Sequence, residues 1–233
     1  MELLQTFTVT KKQINWLLKG ASLDSHREVL GYARLESHKG STYLVTTDSH
    51  RLHAVLVAAR SLPHNALVDI RRLAHELRFD KRAMGVKFSI EESGRIETVE
   101  IVNKGDSPIE TVGRKVVIHD NDIDRPKITF PSWTRILPDF GEGLAEGKVD
   151  ASFNFRYLAD ASMLATDCAG RVHLTGINSS RAFVVAPLQG DYLKCEWFAV
   201  IMPMAINTVE QAERSKKASE KADEERAAKR KAA

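Results

Sequence analysis

One local pattern occurs three times in this chain of 233 residues, and no other feature of the sequence restricts the fold as strongly. In VTKKQINWLL, VDIRRLAHEL and FNFRYLADAS an apolar residue (Val9, Val68, Phe153) precedes a good helix N-cap (Thr10, Asp69, Asn154). A second apolar residue (Ile14, Leu73, Leu158) follows four positions after each cap. Each copy reads as a strand end, a cap and a helix, because Thr, Asp and Asn side chains accept from the amides that a first turn leaves open. Short β-type runs with turn residues between them follow each helix: LGYARLE and STYLVTTD after the first, GVKFSIEE, IETVEIV and RKVVIHD after the second, RVHLTGI, RAFVVAP and WFAVIMP after the third. The predicted unit is one helix followed by two to four antiparallel strands. Three such units make an α+β chain.

The helical period then sorts the side chains. In the first helix Ile14, Leu17, Leu18 and Ala21 form the buried stripe, which places Lys12, Trp16 and Lys19 outward. In the second, Ile70, Leu73, Ala74 and Leu77 are inward, and Arg71, Arg72, His75 and Arg78 are outward, with Lys81 and Arg82 just beyond. Arg156 on the third helix is accompanied by Asp160 and Asp167. A net charge of +3 does not by itself announce nucleic acid, so the placement of charge decides. Basic faces nearly free of acid suit phosphate contact, with an ordinary solvated helix surface as the alternative.

Composition excludes other classes. At 43% hydrophobic the chain can bury one large core or two small ones. No apolar run approaches the roughly 18 residues of a membrane span, and MELLQTFTVTKK lacks the layout of a signal peptide, so the expected location is cytoplasmic. Cys168 and Cys195 read as packing residues, and no spacing suits a metal. Asp48, Ser49 and His50 are adjacent, but neighbours on a strand point to opposite faces and do not form a catalytic relay. With no nucleophile elbow or phosphate loop either, the chain reads as a non-enzyme.

Four segments, taken in order, resemble the bacterial DNA polymerase III beta sliding clamp. TTDSHRL (46–52) is similar to the clamp's "TDGHRLA" strand and turn, and FPSWTRILP (130–138) to its "FPDYRRVLP" interdomain segment. FNFRYLADA (153–161) is similar to the helix start of its last half-domain, and VIMPM (200–204) to its "VVMPM" run. The resemblance covers roughly residues 7 to 206. It implies the clamp fold, in which two units pair about a pseudo-twofold with helices lining a hole and sheets outside. It also implies a processivity factor that needs no cofactor, contacts duplex DNA without sequence specificity, and binds polymerase, repair proteins and a clamp loader.

Carried over residue by residue, the client-peptide cleft comprises Arg27, Leu30, Thr47, Ser49, His50, Arg51, Leu52, Pro131, Arg135, Ile136, Val200, Ile201, Met202, Pro203 and Met204. Leu30, Leu52, Ile136, Val200, Met202 and Met204 would supply an adaptable apolar pocket, while His50, Arg51 and Arg135 orient a peptide. The DNA-facing set is Lys12, Lys19, Arg71, Arg72, His75, Arg78, Arg82 and Arg156.

The chain also departs from that family, whose members carry six units and close as dimers. Residues 1–138 read as a clamp domain of two units, 139–206 as an additional half-domain, and 207–233 as a charged tail, helical or disordered. A half-domain leaves the third helix, with its stripe of Leu158, Ala161, Leu164 and Ala165, without an intrachain partner. Self-association into a dimer or tetramer is the expected remedy. Ser49 stands where the family usually has glycine, so a positive φ there would carry strain. Ala205 stands where an arginine often follows. Such a compact clamp would suit a phage or mobile element, and a non-encircling mimic that sequesters clamp-binding proteins is the alternative function.

Overall fold

Each predicted cap is in place. In the computed structural model Gln13 donates its amide to Thr10 Oγ1 at 3.2 Å while Thr10 donates its own to the Gln13 side chain at 2.9 Å, a reciprocal box that starts α1 (Lys11–Gly20). Asp69 Oδ1 accepts the Arg72 amide at 2.9 Å at the head of α2 (Ile70–Phe79). Asn154 Oδ1 accepts the Arg156 amide at 2.9 Å at the head of α3 (Phe155–Ala161), which runs on into a 3-10 segment, Ser162–Cys168. The structure describes residues 3–62, 65–79, 81, 83–91, 96–103, 130–137, 153–168, 173–175, 182–187 and 191–203. The strand expected at 114–120, the 138/139 domain boundary and the 207–233 tail lie outside them.

The strands are β1 (Leu3–Thr10), β2 (Ala33–His38), β3 (Ser41–Thr47), β4 (Arg51–Ala58), β5 (Ala66–Val68), β6 (Ala83–Glu91), β7 (Ile96–Asn103), β8 (His173–Thr175), β9 (Phe183–Ala186) and β10 (Trp197–Ile201). They form a three-stranded sheet, β1-β6-β7, and a seven-stranded one, β5-β2-β3-β4-β10-β9-β8. The first two repeats exchange their leading strands. β1 pairs with β6 of the second repeat, and β5 pairs with β2 of the first. The third repeat joins the first edge to edge, β10 antiparallel to β4, with Trp197 opposite Val55 and Val200 opposite Leu52.

Both faces of the seven-stranded sheet are buried, which is why its strands read as near-continuous apolar runs. Leu44, Val55, Phe183, Val185, Trp197, Ala199 and Ile201 face the helices. Tyr43, Val45, Leu52, Ala54, Val184, Phe198 and Val200 face outward beneath a cover of Phe130, Trp133, Tyr192, Leu193 and Cys195. The 130–137 segment is thus a lid on the outer face, tied down by Trp133 Nε1 donating to Glu36 Oε2 at 2.8 Å. Cys195 packs there as the sequence predicts.

Two expectations are overturned. The single-stripe reading of α1 puts Trp16 outward, but it is fully buried, stacked on His53 at 4.2 Å and edge-on to Trp197 at 5.5 Å. α1 packs between α2 on one side and α3 with its 3-10 extension on the other, so its buried arc is wider than one stripe. The odd third helix is also not odd. Ala161, Leu164 and Ala165 are buried in the same core as α1, and Trp16 Nε1 donates to the Ala161 carbonyl at 3.1 Å. The stripe assigned to a second chain is covered by this one.

α1 sits very close to the sheet beneath it. A Cβ on Gly20 would lie 2.7 Å from Thr46 Oγ1 and 2.8 Å from the His53 ring, so only glycine fits there. His53 Nδ1 bonds the Trp16 carbonyl at 2.9 Å, while Nε2 has no hydrogen-bond partner among the described residues. Burial pushes its imidazole down to about 4, against the opposing pull of the Trp16 carbonyl.

Candidate functional site

The turn between β3 and β4 is built by its own side chains. Asp48 Oδ1 accepts the amides of His50 at 2.9 Å and Arg51 at 3.0 Å, an Asx turn, and Thr47 Oγ1 donates to the Arg51 carbonyl at 2.7 Å. Ser49, between them, has φ 79°, in the left-handed region. Its Oγ accepts from Arg27 Nη1 at 3.3 Å, which draws the 3-10 segment Ser25–Gly31 to the turn. Both Asp48 oxygens are occupied, since Oδ2 takes Arg51 Nε at 3.0 Å. The Asp-Ser-His run is therefore a turn-forming device.

A segment far away in sequence, the end of β10, meets this turn. Leu52 pairs with Val200, and the Met202 amide donates to the His50 carbonyl at 2.9 Å, so β10 continues beside the turn. Ile136 and Met202, both partly buried, pack on the outer-face cluster that contains Leu52 and Val200. Pro131 and Arg135 are exposed on the covering segment, and Pro203 is half-buried. Arg27, Thr47, Ser49, His50, Arg51, Leu52, Val200 and Met202 thus form one neighbourhood.

Other expected cleft residues are placed differently. Ile201 lies on the opposite face of the sheet from Val200, among the helix-facing core, because successive strand residues alternate. Leu30 is buried, with only 5% of its surface exposed. Met204 lies outside the described residues. Arg51 is engaged by two carboxylates: besides Asp48, its Nη1 lies 2.6 Å from Asp160 Oδ2, and the guanidinium stands 4.4 Å from the centre of the Tyr157 ring. Neither Asp160 nor Tyr157 belongs to the sequence-derived cleft set, although both lie in the FNFRYLADA segment that resembles the clamp.

The second candidate surface is the outer side of the helices. Lys12 and Lys19 on α1, Arg72, His75 and Arg78 on α2, and Arg156 on α3 are exposed, on three helices that lie in the order α2, α1, α3. Arg71 does not belong with them. It is half-buried, its Nη2 donates to the Ser22 carbonyl, and its guanidinium lies against Gly31. Arg82 lies outside the described residues. α3 and the 3-10 segment after it also expose two large apolar side chains, Phe155 and Met163, while Asp160 turns back to Arg51. Among the described residues no group of three His, Cys, Asp or Glu could hold a metal, and no helix is long and apolar enough to cross a membrane.

No protein-family model matches this chain, and no curated protein sequence matches it either. Solved structures do. The DNA polymerase III subunit beta of Borrelia burgdorferi, in complex with a natural product, aligns with a TM-score of 0.52 at 14% identity, over 88% of this chain and 64% of its own. The C. crescentus beta sliding clamp aligns with a TM-score of 0.50 at 14% identity, over 87% of this chain and 65% of its own. The DNA polymerase III subunit beta of Pseudomonas aeruginosa is 17% identical over 87% of this chain and 66% of its own, with a TM-score of 0.49. The chain therefore spans just under two thirds of the length of these proteins.

Proposed function

We propose that this chain, whose fold is that of the DNA polymerase III beta sliding clamps, is itself a non-catalytic clamp-type processivity factor. It lies against duplex DNA through its helices and holds replication proteins by a short peptide at the 47–52 turn. The observation that carries this reading is the meeting of the turn and the end of β10 at the rim of an outer-face apolar cluster that the 130–137 segment also covers. Partly exposed Met202 next to buried Val200 and Leu52, with partly buried Ile136 on the same cluster, gives an adaptable apolar seat. His50 and Arg27 flank it with polar groups. A short apolar peptide on such a seat binds in the micromolar range, about −8 kcal/mol.

Lys19, Arg72, Arg78 and Arg156 supply the DNA contact, sequence-independent because phosphates carry no base identity. Polymerase, repair proteins and a clamp loader are the partners this assigns. With the α3 stripe buried inside the chain, any ring must close through other surfaces.

The test pairs the mass of the protein in solution with its retention on circular and on linear DNA. An encircling clamp is retained on closed circles and lost from free ends. Equal loss from both, with peptide binding intact, selects the non-encircling mimic that sequesters clamp-binding proteins. Met202→Asp should abolish peptide binding while the chain stays folded, and unchanged affinity in that variant removes the cleft assignment.

A further inference from the structure

Arg51 is only 11% exposed, and three groups surround its guanidinium. Asp48 Oδ2 is 3.0 Å from Nε, Asp160 Oδ2 is 2.6 Å from Nη1, and the Tyr157 ring centre is 4.4 Å away. Tyr157 also stacks against the His50 ring, with centroids 6.4 Å apart and planes 22° from parallel. Two of these partners come from α3, in the third repeat, whereas the turn they grip belongs to the first. A guanidinium this buried would be costly with one carboxylate removed, so the geometry is strongly specified. The turn needs that external support, because Ser49 holds a left-handed φ that surrounding structure must enforce.

We infer that Tyr157 and Asp160 are positioning residues of the peptide cleft: they grip Arg51 and His50 from α3 and thereby hold the 48–52 turn at the height where Leu52 and His50 meet Val200 and Met202. Arg51 in this arrangement shapes the seat from beneath and makes no direct contact with a client. The inference rests on the cleft reading above. It adds that client affinity is set in part by a helix that lines the other side of the sheet. It also explains why α3 keeps an acid on a helix otherwise suited to phosphate, since Asp160 is committed to Arg51 and not to solvent.

The experiment uses the full chain and a short fluorescein-labelled peptide of apolar residues with one acidic residue, matched to the apolar seat and to the His50 and Arg27 beside it. Binding is read by fluorescence anisotropy, with circular dichroism to check folding. Asp160→Asn and Tyr157→Ala should each weaken binding by about fivefold or more, the scale of coupling between groups in direct contact. Tyr157→Phe keeps the ring face under Arg51 and should bind like the unmodified chain. So should Ala159→Gln, on the exposed side of the same helix. A general loss of stability would not separate Tyr157→Phe from Tyr157→Ala at a temperature where both are folded. If Asp160→Asn fails to fold, the Tyr157 pair decides. Binding in the unmodified chain that is unaltered in folded Asp160→Asn and Tyr157→Ala overturns the inference alone. No binding in the unmodified chain overturns the cleft reading and the inference together.

Discussion

Ser49 holds a φ of 79° with a β-carbon in place, while its neighbours Thr47 and Asp48 satisfy the amides around it. Glycine there would relieve the left-handed strain at the cost of a freer unfolded chain and of the Arg27 contact. Ser49→Gly should therefore stabilise the fold by roughly 0.5–1 kcal/mol, read as a shift in urea midpoint at constant slope. Departure from a glycine was legible in the sequence, but the φ was not, because Asp and Ser both allow several turns. His53 gives the second residue-scale prediction. Its folded pKa of about 4 lies below the ordinary 6.5, so the unfolded chain takes up the proton first. The stability that neutral His53 provides is complete above pH 6.5 and is lost as pH falls toward 4, up to about 3 kcal/mol. Comparing unfolding free energies of the unmodified chain and His53→Phe at pH 7 and pH 4.5 should show a smaller loss in the variant, which keeps a ring against Trp16. The same loss in both would remove His53 as the cause.

Among the elements, the helix starts were readable because each cap is a local bargain between one side chain and the first amides, as at Thr10, Asp69 and Asn154. Strand positions followed from the apolar runs. What the sequence hid was the neighbour of each element. Trp16 looked outward because the periodic argument assumes one packed side, and α1 has two. The Gly20 that follows it by one turn was the available signal, since a glycine four residues from a buried tryptophan marks a close approach. α3 failed the same way: its stripe was found, but its partner was placed in another chain when Trp16 already supplies it. Leu164→Ala should accordingly destabilise the folded chain by about 2–4 kcal/mol in urea unfolding, leaving the solution mass unchanged at the same protein concentration. A variant with unaltered stability but a lower mass would restore the interchain packing of α3.

At the scale of the whole molecule the two candidate surfaces lie on different sides of one sheet, and they differ in how salt should affect them. Peptide binding on an apolar seat should change little with ionic strength. Duplex binding should weaken steeply, with log affinity linear in log salt, and each phosphate contact removed lowers the slope by about 0.9. Arg72→Ala and Arg78→Ala should each flatten that slope by about one, whereas Arg71→Ala should leave it nearly unchanged, because Arg71 is turned toward Ser22. Equal effects from all three arginines would show that burial of Arg71 does not govern its reach. The basic helices were legible as a group from their period, but the withdrawal of Arg71 was not, since it depends on a carbonyl contributed by a distant loop.

The β4–β10 ladder has a consequence for how the molecule is made. β10 (Trp197–Ile201) leaves the ribosome long after β4 (Arg51–Ala58), so the ladder that pairs Val55 with Trp197 closes a very long loop. Until then β4 is an edge strand whose backbone is unpaired on that side and whose two faces are both apolar. Such an edge can recruit the same strand of another nascent chain before its own partner arrives. Refolding yield should therefore fall with protein concentration, even where the finished protein is fully stable.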